Sequence, residues 1–395
     1  MPASIGIREA RRAGLIPLFF LAATLDLGFG SIFALLAEIR VRFGFDAAGI
    51  GWIAGAGMVS SVIAQSGLSR LADRGHARAM VAVGLTMASL ALLSLVFANT
   101  LIAFIAARFV YGFGEGCFFP AARRIVVSHD PSRAGEWLGL LTAFQMSGFL
   151  LGPALASLLC QQIGLSGTFS VFFVLLLGAA LLPLRAGKPT TPIAARDTSL
   201  RGLIGQPAYQ GMLLVAVGFF GSLGVFEAMW AVLLTDLGAT QLTIGVSFSL
   251  FTLPMIVIAP LAGRLAGRVG GQRVTLLTLG IAAPCMALYG AAVSLPAVFA
   301  IMVLHAFVDA FLTPASQLAV AEATPSDRIA EGQGVFAAVG LTAAALCALT
   351  SGAVYDRFGP AVLFGGWALV MLICLAAAAW RCSGQGLGST TSSAS

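Results

Sequence analysis

The chain has 395 residues, 59% of them apolar and only 10% charged, with 47 glycines and a mean hydropathy of +0.97. A water-soluble domain carries about 25% charged residues, so a globular protein in water is excluded. Each membrane-spanning helix uses roughly 20 apolar residues, which allows a dozen spans and no large soluble domain. The apolar runs are continuous rather than short and alternating, which excludes a transmembrane barrel. Composition thus predicts an all-α polytopic membrane protein.

Taken in chain order, apolar runs between charged or Gly/Pro breaks predict twelve spans, near 13–38, 47–68, 79–98, 101–122, 137–160, 168–184, 207–234, 242–262, 274–294, 297–320, 330–352 and 360–380. The charged amino terminus precedes a long apolar stretch without a small-residue cleavage site, so that stretch reads as the first span and not as a signal peptide. The longest polar stretch between spans, 186–206, divides a bundle at 1–185 from one at 207–381, and 382–395 reads as a flexible tail. With the amino terminus in the cytoplasm, 18 of the 22 basic residues fall on inside segments. Only Arg40, Arg42 and Arg357 fall outside and Arg108 lies within a span, so the positive-inside bias puts both termini in the cytoplasm. Six cysteines, at 117, 160, 285, 347, 374 and 382, lack paired spacing and read as small buried side chains, not as a disulfide or metal set.

The chain also repeats itself. A shift of 194 residues aligns Gly30 with Gly224, Gly44 with Gly238, Ile50-Gly51 with Ile244-Gly245, Pro120 with Pro314, and Arg70-Leu71-Ala72-Asp73-Arg74 with Arg264-Leu265-Ala266-Gly267-Arg268. After one inserted residue, Asp327, Arg133-x-x-Glu136-x-x-Gly139 lands on Arg328-x-x-Glu331-x-x-Gly334. Six spans per copy make both copies enter from the same side, related by an axis along the membrane normal, with a central site expected between them.

Several of these segments resemble the major facilitator superfamily, and the resemblance covers essentially the whole chain. Ser69-Arg70-Leu71-Ala72-Asp73-Arg74 with Arg78 is similar to its cytoplasmic loop motif, and 263–273, with Arg264 and Arg268, to the second copy. RFVYGFGEG at 108–116 is similar to its fourth-span motif. Gly148-x-x-x-Gly152-Pro153 resembles the motif of drug:proton antiporters, and Thr24-Leu25-Asp26 with Gly28 and Gly30 resembles the first span of tetracycline-type exporters. The resemblance implies two pseudo-symmetric six-helix bundles, alternating access, a bacterial inner membrane, and a cavity lined by spans one, four, seven and ten. It also implies that Asp73 with Arg70, Arg74 and Arg78 forms a charge latch on the inside gate.

An ionisable side chain at a helix centre costs about 2.5–3.5 kcal/mol on insertion scales and is a functional hypothesis by default. Six occur: Asp26 in span one, Arg108 and Glu115 in span four, Glu227 in span seven, His305 and Asp309 in span ten. Arg108 and Glu115, seven apart, share a helical stripe, while His305 and Asp309, four apart, can touch. Glu115 and Asp309 are repeat mates, whereas Asp26 and Glu227 are not. Buried carboxyls exchange protons according to desolvation and nearby charge, so these acids are candidates for proton coupling in competition with substrate. Structural pairing of Arg108 with Glu115 and of His305 with Asp309 is the alternative. Phe33, Tyr111, Phe226 and Trp230 are candidates for an aromatic cavity wall.

These residues predict a proton-coupled exporter of small amphipathic or drug-like compounds, driven by the proton gradient without a cofactor. Its partners are substrate, protons and the bilayer, and it is expected to be a monomer. A guanidinium suits carboxylates and phosphates, so Arg108 leaves open a symporter or facilitator of an organic anion or other small metabolite. An enzyme would need a nucleophile–base cluster or a metal set, and His76, His129 and His305 lie in separate segments. Nucleotide-driven pumping lacks GxxxxGK[ST], the only lysine being Lys188. The basic residues are explained by topology, which leaves nothing for nucleic acid.

Overall fold

In hydrocarbon every backbone polar group must be paired within the chain, and long apolar runs meet that demand as helices. The structure, a computed structural model, describes residues 14–129, 134–181, 200–325 and 328–383. The spanning helices are α1 (Ile16–Phe43), α2 (Ala47–Leu71), α3 (Ala77–Phe97), α4 (Leu101–His129) and α5 (Ala134–Ala180). A short α6 (Leu200–Ile204) precedes α7 (Pro207–Asp236), α8 (Gln241–Val269), α9 (Gly271–Ala291), α10 (Leu295–Glu322) and α11 (Ile329–Ser383). A π-helical turn, Ala72–His76, joins α2 to α3.

Ten of these helices are long and apolar enough to cross a membrane, and two of them contain two spans each. α5 runs for 47 residues and breaks at Gly164 (φ 71, ψ 178), and α11 runs for 55 and breaks at Gly359 (φ 79, ψ 174). That backbone region is open essentially to glycine alone. Each hairpin is therefore turned by one glycine rather than by a loop, and the predicted twelve spans are all accounted for. The repeat is visible in the same terms. Gly164 and Gly359 are 195 residues apart, and Gly44 and Gly238, 194 apart, both adopt the left-handed conformation past the ends of α1 and α7.

Contacts divide the chain into two units, Met1–Ala195 with Leu234–Thr252, and Arg196–Leu233 with Leu253–Ser395. The first unit thus also takes in the end of α7 and the start of α8. The physical reason is a set of polar contacts inside that unit. Arg40 pairs with Asp236 at 2.6 Å, Gln241 Nε2 donates to Ala34 O at 2.7 Å and to Ser157 Oγ at 3.2 Å, and Ser249 Oγ donates to Leu150 O at 2.5 Å. The predicted linker lies outside the described residues up to 199, as does the tail beyond 383; Cys382 and Ser383 still belong to α11.

Within the first unit α1 packs along α5, and α4 lies against both α2 and α3. Gly148 and Gly152 make the first of these contacts close, since a Cβ on either would overlap the carbonyl oxygen of Ala23 or Leu27. In the second unit α9 packs against α10 and α11. The Arg-x-x-Glu motif there forms an ion pair, Arg328 with Glu331 at 2.8 Å, and Tyr209 Oη donates to the adjacent Gly332 O at 2.8 Å.

Gly148→Leu should destabilise the detergent-solubilised protein by about 1–3 kcal/mol, the usual range for overpacking, while Gly139→Leu, which meets open space, should leave its melting temperature unchanged. Gly164→Ala should cost about 1–3 kcal/mol through backbone strain alone, read in the same melting assay.

Candidate functional site

The first unit gathers a cluster of buried polar groups around α4. Three glycines on that helix let it approach its neighbours: an added Cβ at Gly112 or Gly116 would overlap the carbonyl of Gly57 or crowd that of Ser61 on α2, and one at Gly114 would crowd Gly84 on α3. With those faces used for packing, the side of α4 between them carries Arg108, Tyr111 and Glu115. Tyr111, fully buried, reaches α1 and donates its hydroxyl to Leu25 O at 2.5 Å. Beside it Asp26, 2% exposed, lies near Glu115 and, from α5, Gln145, both of which act on its carboxyl. Glu115 is half-buried. Arg123, eight residues further along α4 and exposed, acts electrostatically on both acids.

Two carboxyls placed near each other in an apolar site repel when both are ionised, so a proton on either relieves the pair. Arg108 lies near Glu115, as their common stripe suggested, and contributes a favourable charge to it. Its guanidinium, fully buried, also stacks on aromatic rings of α1, 4.4 Å from the centre of Phe29 and 4.6 Å from that of Phe33.

The second unit builds a different cluster. Phe226 and Trp230 on α7 stack at 4.5 Å, and Tyr289 of α9 meets Trp230 edge-on at 5.2 Å. Tyr289 Oη lies 3.2 Å from His305 Nδ1, and His305 Nε2 lies 3.6 Å from Asp309 Oδ1. Tyr289, His305 and Asp309 are all at most 3% exposed.

The structure therefore brings together Asp26, Glu115, Tyr111, Arg108 and Phe33 in one unit, and Phe226, Trp230, His305 and Asp309 in the other. Glu227 is half-buried on α7 next to Phe226. Arg74, Arg78, Arg264 and Arg268 are exposed, while the side chains of Arg70 and Asp73 lie outside the described residues. Gly148 and Gly152 face α1 of their own unit, and it is Pro153, with Ser157, that faces Gly245 at the start of α8. An open apolar groove of about 470 Å³ between Val217, Thr342, Leu346 and Trp367 contains none of the sequence-derived candidates. Sequence reasoning missed Gln145, Arg123 and Tyr289. Arg123 was absorbed by the positive-inside count, and the chain has only four tyrosines, so their placement within apolar runs was an available signal.

The profile of the Major Facilitator Superfamily matches residues 18–229 and 212–382. The chain is 26% identical over 318 residues to the multidrug resistance protein MdtH of Aeromonas salmonicida (strain A449), covering 75% of this chain and 76% of that protein. It is 25% identical over 292 residues to the maltose permease of Geobacillus stearothermophilus, covering 71% and 72%. Among solved structures, a bacterial homolog of the human lysosomal transporter Spinster, in an inward-facing and occupied conformation, matches with a TM-score of 0.80 at 14% identity over 94% of this chain and 97% of that one. The nucleoside transporter NupG matches with a TM-score of 0.75 at 16% identity over 93% and 98%. With twelve spans in two repeated halves and a family match along nearly its whole length, the chain belongs to the Major Facilitator Superfamily and is a membrane transporter, not an enzyme.

Proposed function

We propose that this transporter is a proton-coupled exporter of small amphipathic or drug-like compounds, working as an antiporter by alternating access. The observation that carries this reading is the juxtaposition of two acids, Asp26 and Glu115, beside Tyr111 and Gln145 within the first unit. A shared proton keeps two neighbouring acids from both being charged in an apolar site, where each bare charge is costly. Substrate that brings a hydrogen-bond donor or positive charge competes with that proton for the same oxygens. Arg123 answers the charge left when the proton departs, and Tyr111 ties the state of α4 to α1. The name of the MdtH relative, a multidrug resistance protein, agrees with export of amphipathic compounds. On this reading the chain is a monomer in a bacterial inner membrane with both termini in the cytoplasm. The loop residues Arg70, Asp73, Arg74 and Arg78 then act as a latch on the cytoplasmic side.

A second reading rests on Arg108, whose buried, ring-stacked guanidinium could hold the carboxylate or phosphate of an organic anion carried with protons. One assay separates the two. In proteoliposomes containing a pH-sensitive dye and screened with a compound panel, exchange and symport move protons in opposite directions relative to substrate.

Asp26→Asn or Glu115→Gln should reduce pH-gradient-driven transport to the level of empty liposomes at wild-type expression, and full coupling in both variants would refute the antiport reading. Asp73→Asn should slow turnover severalfold with unchanged substrate binding; an unchanged rate would remove the latch.

A further inference from the structure

The second unit contains a chain of three exchangeable groups that the Asp26–Glu115 pair does not involve. We infer that Tyr289, His305 and Asp309 form a second proton-binding site, in which Asp309 takes up and releases a proton while His305 stays neutral and switches tautomer. The inference rests on the reading of the protein as proton-coupled and adds a site to it.

The geometry imposes this pattern. Asp309 Oδ1 is buried, makes no hydrogen bond among the described residues, and stands 3.6 Å from His305 Nε2. That gap lies just beyond hydrogen-bond reach, and (i, i+4) placement on α10 lets a small side-chain rotation close it. On the other side of the imidazole, Tyr289 Oη lies 3.2 Å from Nδ1. A phenol hydroxyl can donate or accept, whereas a neutral imidazole has one donor and one acceptor nitrogen.

Two complete arrangements follow. With Asp309 ionised, Nε2–H points to the carboxylate and Tyr289 donates to Nδ1. With Asp309 protonated, its O–H donates to Nε2 while Nδ1–H donates to the Tyr289 oxygen. The states differ by one proton, carried on Asp309, and by the His305 tautomer. Neither places a charge on the ring, which a buried imidazolium among aromatic rings would require.

The titratable neighbours are His305 on the same helix and, from α9, Tyr289 and Cys285, both of which feel the Asp309 charge. α7 contributes Phe226 and Trp230, and α11 contributes Phe364, 6.0 Å from Tyr289. These rings surround Tyr289, and Glu227 is the acid that α7 places beside Phe226. Tyr289 acts here through His305 as a positioning residue.

Infrared difference spectroscopy between acidic and alkaline pH on the full-length protein reads carboxyl protonation without transport. Asp309→Asn should remove one carboxylic C=O band, and Glu115→Gln should remove a different one. Tyr289→Phe should keep the Asp309 band but displace its pH midpoint by about one pH unit, the order of one hydrogen bond to a buried group. Should Tyr289→Phe fail to fold, His305→Gln, whose amide has no second tautomer, should displace the same midpoint. In proteoliposomes Asp309→Asn should move one proton fewer per substrate. An Asp309→Asn spectrum superimposable on wild type would overturn the site, and an unmoved midpoint in the folded Tyr289→Phe or His305→Gln protein would overturn the relay. A wild type that shows the Asp309 band without substrate-linked proton movement would support the site while refuting antiport.

Discussion

Hydrocarbon supplies no hydrogen bonds, and the rest of this structure follows from that. It forces the backbone into helices, and it removes most of the hydrophobic drive between them, so helices associate through close packing of small residues. Gly148 and Gly152 bring α5 onto the backbone of α1, and Gly112, Gly114 and Gly116 bring α4 onto α2 and α3. The same absence of water makes each buried acid dependent on protein partners. Asp26 lies near Glu115 and Gln145, and Asp309 faces His305. Packing and chemistry are therefore coupled, because the glycine-lined faces of α4 leave Tyr111 to reach α1, while the Arg108 guanidinium lies over Phe29 and Phe33 of α1 with its side chain against Gly57 of α2.

Duplication supplied the frame, and divergence within it changed the side-chain chemistry of the two halves. Backbone features survive in register: the left-handed Gly44 and Gly238 and the hairpin-breaking Gly164 and Gly359. Side-chain chemistry does not. Glu115 and Asp309 occupy equivalent positions, yet one joins a second carboxyl and the other an imidazole–phenol chain. The aromatic partners differ too. In the first unit Phe29 and Phe33 carry the Arg108 guanidinium, while in the second Phe226 and Trp230 pack around Tyr289.

The class of fold, the twelve spans and the residues that break apolar runs were legible in the sequence, because hydropathy and insertion cost act on each segment by itself. The six interior ionisable residues stood out for the same local reason, and His305 with Asp309 was readable from spacing within one helix. What lay beyond reach involved contacts across helices. Asp26 has no ionisable residue near it along α1, so its approach to Glu115 on α4, and the contact of Tyr289 on α9 with His305, could not be read from any periodicity. Nor could local signals show that the end of α7 and the start of α8 join the first unit through Arg40–Asp236 and Gln241. The sequence by itself determined where the chain crosses the membrane and which charges it buries. Only the tertiary structure decided which of those charges meet, since that depends on how closely glycine-faced helices pack, and this is a property of pairs of surfaces rather than of any single segment.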